Sequence, residues 1–141
     1  MILVTLGTQD KTFIRLLEKI DDLIKKGLIK DQVVVQSGYT KYHSSNMEIF
    51  DLIPQDEFNS LMEKADIIIT HGGVGSIISA LEKGKKVIAI PRLAKYGEHI
   101  NDHQTQIVSK FNSLGYLIGL QEVDELEPAL KKIKKFKPRP F

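Results

Sequence analysis

The chain contains no cysteine, which excludes disulfides, thiolate metal sites and cysteine nucleophiles from its 141 residues. It also lacks a long hydrophobic run, since its apolar segments are far shorter than the roughly 20 residues that a helix needs to cross a bilayer. No sign of charge dominates: 20 Lys and Arg stand against 18 Asp and Glu, and a net charge of +2 gives no argument for nucleic-acid binding. The N-terminus enters an apolar segment without the basic stretch of a signal peptide, so we expect a cytoplasmic protein.

The remaining composition, 42% hydrophobic and 27% charged residues, is ordinary for a globular protein and predicts a single domain over residues 1–141. Short apolar runs alternate with amphipathic stretches, which is typical of an α/β fold with a mostly parallel sheet. The predicted strands are residues 2–6, 33–35, 48–52, 65–70, 87–90 and 116–119. The predicted helices are residues 13–24, 56–64, 74–83, 101–114 and 123–135, with glycines ending the first and third.

The most informative segment is residues 67–79, where a β-branched run meets three glycines within four residues and a helical pattern follows. In a parallel sheet this arrangement places bare backbone N–H groups and a helix N-terminus at the carboxyl edge. Such an edge binds phosphate or diphosphate groups. The alternative is that the glycines only form a tight strand-to-helix turn.

Spacing separates the known phosphate-binding motifs. A P-loop needs a lysine after its last glycine, and none follows Gly75. The dinucleotide fingerprint has Ile78 at its third small position and Pro91 where an acid belongs, so nicotinamide binding is disfavoured. A nucleophile elbow of the Gly-x-Ser-x-Gly type is absent. A flavin- or nucleotide-binding redox protein that uses the loop 7–12 is a more distant hypothesis.

Four separated motifs occur in a recognisable order: Asp-Leu-Ile-Pro-Gln at 51–55, Thr-His-Gly-Gly-Val-Gly-Ser at 70–76, Pro91, and Asp-His-Gln at 102–104. Together they resemble the C-terminal domain of glycosyltransferase family 28 and the related UDP-glycosyltransferases. The resemblance covers nearly the whole chain. It implies a Rossmann-like, mostly parallel sheet with helices on both faces, equivalent to the C-terminal half of a GT-B glycosyltransferase.

A GT-B enzyme reacts in the cleft between two such halves, and this chain has the length of one. It most resembles the small soluble subunits of bipartite transferases, found in the dolichol pathway and in bacterial capsule and exopolysaccharide assembly. Two segments, residues 4–8 and 91–104, favour the bacterial type. The implied partner is a membrane-anchored acceptor-binding subunit, and a lipid-linked acceptor would be bound through it.

The implied donor is a UDP-sugar such as UDP-GlcNAc or a UDP-hexose, with no cofactor, no metal and no nucleic-acid partner. The implied location is cytoplasmic, at the inner face of the membrane through the partner. The alternative is a non-catalytic accessory module that stabilises or localises a glycosyltransferase.

The resemblance assigns roles to individual residues. The donor diphosphate would contact Gly72, Gly73, Gly75 and Ser76. His71 would reach the same phosphates or, equally, cap the loop. The 52–55 loop, including Pro54 and Gln55, would bracket the uracil or form a plain turn.

Further roles belong to residues on both sides of this motif. Gly7 and Thr8 would face the cleft, and Thr8 could instead cap the first helix. Asp102 and Gln104 would hold the donor-sugar hydroxyls or merely cap and solvate the helix start. Ser79 stands where the family carries an acid for the ribose hydroxyls, and a serine can accept one such bond.

The catalytic base stays unassigned, because in the resembling fold it usually comes from the other domain. Arg92 could assist the departing diphosphate, and Glu98 and His99 could act as the base or simply be solvated. The basic tail at 131–141 would be the polar face of a last helix with a frayed end. Alternatively it would dock on the partner or on anionic lipid, with Phe136 and Phe141 adding apolar contact.

Overall fold

The computed structural model describes residues 1–7, 12–91 and 103–141. The strands are β1 (Ile2–Thr5), β2 (Val33–Gln36), β3 (Glu48–Phe50), β4 (Ile67–Thr70), β5 (Lys86–Ala89) and β6 (Ile118–Gly119). The helices are α1 (Ile14–Lys25), α2 (Gln55–Lys64), α3 (Val74–Glu82), α4 (His103–Ser113) and α5 (Leu126–Ile133), with a 3₁₀ turn at Val123–Glu125 before α5. All strand pairings within the sheet are parallel.

Both faces of the sheet are covered by helices. The inner strands are buried along their whole length, and alternate residues pack to opposite sides. Val4 and Ile69 belong to a core shared with α1 and α5, where Leu17 and Leu130 are buried. Leu3 belongs to a second core shared with α2, α3 and α4. The chain is therefore a doubly wound α/β unit.

The strand order across the sheet is β3-β2-β1-β4-β5-β6. The chain winds outward from β1 through β2 to β3, then returns to the other side of β1 to begin β4. The order therefore reverses between β1 and β4, and a crevice opens outside their carboxyl ends. In open α/β sheets ligands bind at such a reversal point. Gly7 follows β1 at this edge, and His71 follows β4.

The predicted order and type of the elements are confirmed, with local differences. The predicted final helix over 123–135 is divided into the 3₁₀ turn and α5, and a capping box between Glu122 and Glu125 fixes the start of the turn. Helix α1 begins at Ile14 with Phe13 as its N-cap residue, so the alternative role of Thr8 as the cap of this helix is wrong. The first two residues of the predicted helix 101–114 lie outside the described residues.

The C-terminal segment packs on the domain, which corrects the expectation of a frayed end. The Arg139 N–H donates to the Gly115 carbonyl at 2.9 Å, and the Phe141 ring lies 5.3 Å from that of Tyr116. Phe136 packs against the core of α1 and α5. Among the helices of the described ranges, none combines the length and the apolar character that crossing a bilayer requires.

Candidate functional site

The start of α3 is the centre of the candidate site. Gly73 is its N-cap residue, with an extended backbone, and no side chain caps the helix. The Gly73 carbonyl accepts the first helical bond from the Ile77 N–H at 3.0 Å. The first turn also carries no acidic residue, so nothing in the helix itself offsets the positive end of its dipole. This end is suited to an anion.

His71 holds the glycine turn at a fixed distance from the end of β1. Its side chain is buried, and its Nδ1 lies 3.3 Å from the Thr5 carbonyl oxygen. Since a carbonyl oxygen only accepts, Nδ1 is the donor in this bond. A Cβ at Gly7 would lie 2.6 Å from the His71 Nε2, and a Cβ at Gly73 would lie 2.5 Å from it. The imidazole ring therefore fits only because both neighbours are glycines.

Gly72 needs to be glycine for a separate reason. Its φ is +90°, in the left-handed region, and a Cβ there would lie 3.1 Å from the Val108 Cγ2 of α4 and 3.5 Å from the Pro91 Cα. The ends of β4 and β5 and the first half of α4 thus meet at this residue. His71 and Gly72 are buried and Gly73 is half-buried, so the main chain at Gly73 is the part of the turn that reaches the surface.

A crevice of about 340 Å³ lies beside the helix start. It is lined on one side by Gly75, Ser76 and Ser79 of α3, and on the other by the loop after β3 and the start of α2. Gly75 is exposed, and a Cβ at this position would meet nothing within 4 Å. Ser76 and Ser79 are half-buried, and the Ser79 hydroxyl donates to the Met62 sulfur at 3.7 Å.

Gln36, at the end of β2, is a polar residue of this region that sequence reasoning missed. It is 5% exposed and also lines the crevice. Its Nε2 donates to the Gly7 carbonyl at 3.2 Å and to the Asp51 carbonyl at 3.0 Å, and its Oε1 accepts from the Thr5 hydroxyl at 3.0 Å. The available signal was a glutamine ending an otherwise apolar, fully buried strand.

The segment between β2 and β3 is irregular but tightly bonded around Asp21 of α1, a second feature that the sequence did not reveal. Asp21 is 7% exposed and accepts from the Tyr42 hydroxyl at 2.8 Å, the Ser44 hydroxyl at 2.9 Å and the Asn46 amide at 2.8 Å. Burial raises the pKa of Asp21, but the bonds from Asn46, Tyr42 and Ser44 outweigh it and hold this pKa below its ordinary value of 3.8. Burial and the neighbouring carboxylate raise the pKa of Tyr42 to about 12.

Gln104, in the first turn of α4, is 8% exposed, and its buried Oε1 has no hydrogen-bond partner in the described part of the chain. It lies one turn before Val108, on the same helix face, and Val108 borders the glycine turn. A buried carboxamide oxygen without a partner is costly, typically by about 1–3 kcal/mol. This oxygen is therefore the one buried side-chain acceptor of the described residues whose hydrogen-bonding capacity is unused.

The structure brings most of the predicted site residues to one edge of the sheet. The members of this group are Gly7, Pro54, Gln55, His71, Gly72, Gly73, Gly75, Ser76, Ser79 and Gln104. Pro54 is the N-cap residue of α2 and Gln55 is exposed beside the crevice, where its amide donates to Asn59 at 3.1 Å. The predicted ligand-binding or catalytic roles of Thr8, Arg92, Glu98, His99 and Asp102 fall on residues outside the described ranges.

The chemistry that the described residues offer is binding rather than proton transfer. They present backbone N–H groups, hydroxyls and carboxamides around the crevice. Among the residues of the described ranges, no three His, Cys, Asp or Glu side chains are grouped so that they could hold a metal ion. The arrangement can bind a diphosphate at the helix start and a flat or hydroxyl-bearing group in the crevice.

Comparison with known proteins agrees with this geometry. A family model described as the glycosyltransferase family 28 C-terminal domain matches residues 1–141. The UDP-N-acetylglucosamine transferase subunit ALG13 of Candida albicans is 32% identical over 90 residues, which make up 64% of this chain and 29% of that protein. The chain thus spans less than a third of the length of this relative.

Two solved structures share the fold. The NMR solution structure of ALG13 superposes with a TM-score of 0.64 at 20% identity and covers 99% of this chain and 88% of that one. The crystal structure of Methanocaldococcus jannaschii UDP-GlcNAc 2-epimerase in complex with UDP-GlcNAc and UDP gives a TM-score of 0.68 at 15% identity, covering 99% of this chain and 40% of that one. The predicted fold class, a Rossmann-like half of the GT-B type, is confirmed.

Proposed function

The chain belongs to the glycosyltransferase family 28 C-terminal domain family, and from this we propose that it is the donor-binding, catalytic subunit of a UDP-sugar-dependent glycosyltransferase. The observation that carries the proposal is the uncapped start of α3 beside a crevice at the point where the strand order reverses. A diphosphate at Gly73 would accept bonds from main-chain N–H groups and lie at the positive end of the helix.

The nucleoside of the donor fits the crevice beside this helix. With the diphosphate at residues 72–76, the uracil lies against the loop 52–55 and the ring of Pro54. The ribose then lies near Ser79, whose hydroxyl can accept one hydrogen bond while it donates to Met62. The donor is a UDP-sugar, and UDP-GlcNAc is the first to test because the similar ALG13 subunits are named for UDP-N-acetylglucosamine transfer.

The sugar of the donor extends from the diphosphate towards α4. We propose that the Gln104 Oε1, which is buried and has no hydrogen-bond partner among the described residues, accepts from a sugar hydroxyl. Asp102, two residues earlier in the chain, is proposed as its companion. This pairing of an acid with an amide suits neighbouring hydroxyls, which both donate and accept.

In the transfer step, an acceptor hydroxyl attacks the anomeric carbon, the bond from that carbon to the diphosphate oxygen breaks, and UDP leaves with the electron pair. The start of α3 stabilises the charge that develops on the leaving diphosphate. The proton of the acceptor hydroxyl goes to a general base. We assign that base to the second half of the enzyme. Glu98 and His99 are the alternative candidates, should the base lie in this chain. The step as proposed needs no metal.

The second half is proposed to be a membrane-anchored subunit that binds a lipid-linked acceptor, so that this chain works at the cytoplasmic face of the membrane. Polysaccharide or lipid-linked glycan synthesis is the process that such an assembly serves. Support comes from the ALG13 relatives, which are named as subunits of a UDP-N-acetylglucosamine transferase.

Binding is tested by titrating the isotope-labelled chain with UDP and following backbone amide resonances. We expect weak binding with shift changes that cluster at residues 72–76. Uridine is the matched control, because it lacks the diphosphate and leaves those amides unshifted. Unchanged spectra at millimolar UDP would overturn the proposal.

The variant Gly75→Leu distinguishes the proposed donor-binding subunit from the alternative, a non-catalytic accessory module. A side chain at this position meets open space in the protein but enters the crevice. If the chain binds and presents the donor, transfer by the complete complex should collapse in this variant. Full transfer activity in Gly75→Leu complexes would favour the accessory module.

A further inference from the structure

Gln36 links the end of its own strand β2 to two other stretches of chain at the edge of the sheet, residues 5–7 and Asp51. Its carboxamide uses both N–H donors and its oxygen, reaching the Gly7 carbonyl after β1, the Asp51 carbonyl after β3 and the Thr5 hydroxyl within β1. The amide orientation is unambiguous because the two carbonyl oxygens only accept. The side chain is 5% exposed, so these bonds form away from competing water.

The two carbonyls do not line the crevice themselves, but each adjoins a different part of the proposed donor site. Gly7 has a φ of +73° and packs directly against the His71 ring, which in turn packs against Gly73 at the start of α3. Asp51 begins the loop that runs to Pro54, and its carbonyl also accepts from the Gly38 N–H at 3.0 Å. Gln36 is therefore bonded on one side to the support of the diphosphate position and on the other to the loop beside the nucleoside position.

Resting on the proposed function, we propose that Gln36 is a positioning residue that sets the span between the base-binding loop and the diphosphate-binding turn. A nucleoside diphosphate contacts both at once and benefits from a fixed span, because a preorganised site loses less freedom on binding. Pyrophosphate or uridine alone contacts only one of the two and gains nothing from it. Gln36 thus selects for the intact nucleoside diphosphate over its fragments.

The test compares wild type with Gln36→Met, which keeps the length of the side chain and removes its polar atoms. Affinities for UDP, inorganic pyrophosphate and uridine are measured by amide chemical-shift titration of the whole chain. The matched control is Gln32→Met, the same substitution at an exposed position just before β2, at the opposite end of the strand. We expect Gln36→Met to weaken UDP binding on the order of tenfold and to leave pyrophosphate and uridine within about twofold of wild type.

If Gln36→Met weakens UDP binding and pyrophosphate binding equally, the role of Gln36 is merely structural and the inference is overturned. UDP binding within about twofold of wild type would also overturn it, because Gln36 would then have no effect on the site. Failure of the wild type to bind UDP at all would instead overturn the proposed function. If Gln36→Met does not fold, the side-chain amide protons of Gln36 in the wild type decide. They should resist solvent exchange and shift on UDP addition but not with either fragment, and rapid exchange or an absent UDP shift would sink the inference.

Discussion

Two segments at the carboxyl edge of the sheet differ in how their polar groups find hydrogen-bond partners. Residues 37–47 have no regular structure, yet four of their polar side chains form hydrogen bonds within the chain: three converge on Asp21, and the Thr40 hydroxyl accepts from the Phe13 N–H at 3.0 Å. The turn 71–73 and the start of α3 have no side-chain cap. We call residues 37–47 the closed segment, because side chains within it form hydrogen bonds inside the chain and contribute stability. We call residues 71–76 the open segment, because no side chain caps the helix start there and its main chain is available to a ligand.

The largest expected effect is on the open segment, from Gly73→Ala. The new Cβ would lie 2.5 Å from the His71 Nε2, so the ring or the turn must shift. Misplacing the N–H groups by about 1 Å should weaken UDP binding roughly a hundredfold. Chemical-shift titration measures this; Gly75→Ala, whose methyl meets no protein atom within 4 Å, is the comparison variant and should lose only about threefold in UDP affinity. UDP binding at wild-type strength in Gly73→Ala would show that the turn does not contact the diphosphate.

Next in size is the effect of Asp21→Ala on the closed segment. Removing the carboxylate leaves the Tyr42, Ser44 and Asn46 donors without their shared acceptor, and we expect the free energy of unfolding to fall by about 2 kcal/mol. Urea denaturation measures it. The neighbouring Asp22→Ala loses only a surface pair with Lys26, at 3.1 Å, and should cost less than about 0.5 kcal/mol. UDP affinity should stay unchanged in both, and its collapse in Asp21→Ala would break the comparison.

The same carboxylate gives the closed segment a pH dependence. The folded pKa of Asp21 lies below its ordinary value of 3.8, so its ionised form stabilises the fold at all pH values above that value. This contribution is lost as the pH falls below about 4 and passes through the folded pKa. Urea midpoints across this range should fall more steeply for wild type than for Asp21→Asn. Parallel curves would show that Asp21 does not titrate differently in the folded chain.

Gly75→Ala should separate stability from binding in the open segment. Glycine within a helix costs about 0.5–1 kcal/mol relative to alanine, and the added methyl meets nothing within 4 Å, so the variant should be more stable by about that amount. Since the methyl borders the crevice, UDP affinity should fall by about threefold, well under the factor of ten that about 1.4 kcal/mol gives. Thermal unfolding checks the expected gain in stability, and the UDP titration checks the expected loss of affinity. A variant that gains both stability and affinity would place the nucleoside elsewhere.

The smallest expected effect concerns Ser79, which stands where the family carries an acidic residue for the ribose hydroxyls. Ser79→Asp places a carboxylate where the ribose hydroxyls are proposed to lie, and it should raise the preference for UDP over 2′-deoxy-UDP about threefold, the worth of one modest hydrogen bond. Ser79→Ala is the control and should leave the preference near that of the wild type. An unchanged preference in Ser79→Asp would place the ribose away from this residue.

The same comparison explains which parts were predictable from the sequence. The strands and helices follow from short-range hydrophobic periodicity, and the open segment is a local pattern of three glycines after a β-branched run. The closed segment depends on contacts between residues distant in the chain, such as Asp21 with Asn46, and these leave no periodic signal. Gln36 was missed for the same reason, since its partners Gly7 and Asp51 lie on other loops.

The position of His71 between two glycines carries a consequence for how this chain can vary. The ring occupies the volume that side chains at residues 7 and 73 would need. A larger residue at 73 demands a smaller one at 71, whereas position 7 stays glycine in either case because its φ is +73°. Homologous sequences should therefore exchange positions 71 and 73 as a pair, and a larger residue at 73 grafted alone should fail where the double exchange succeeds.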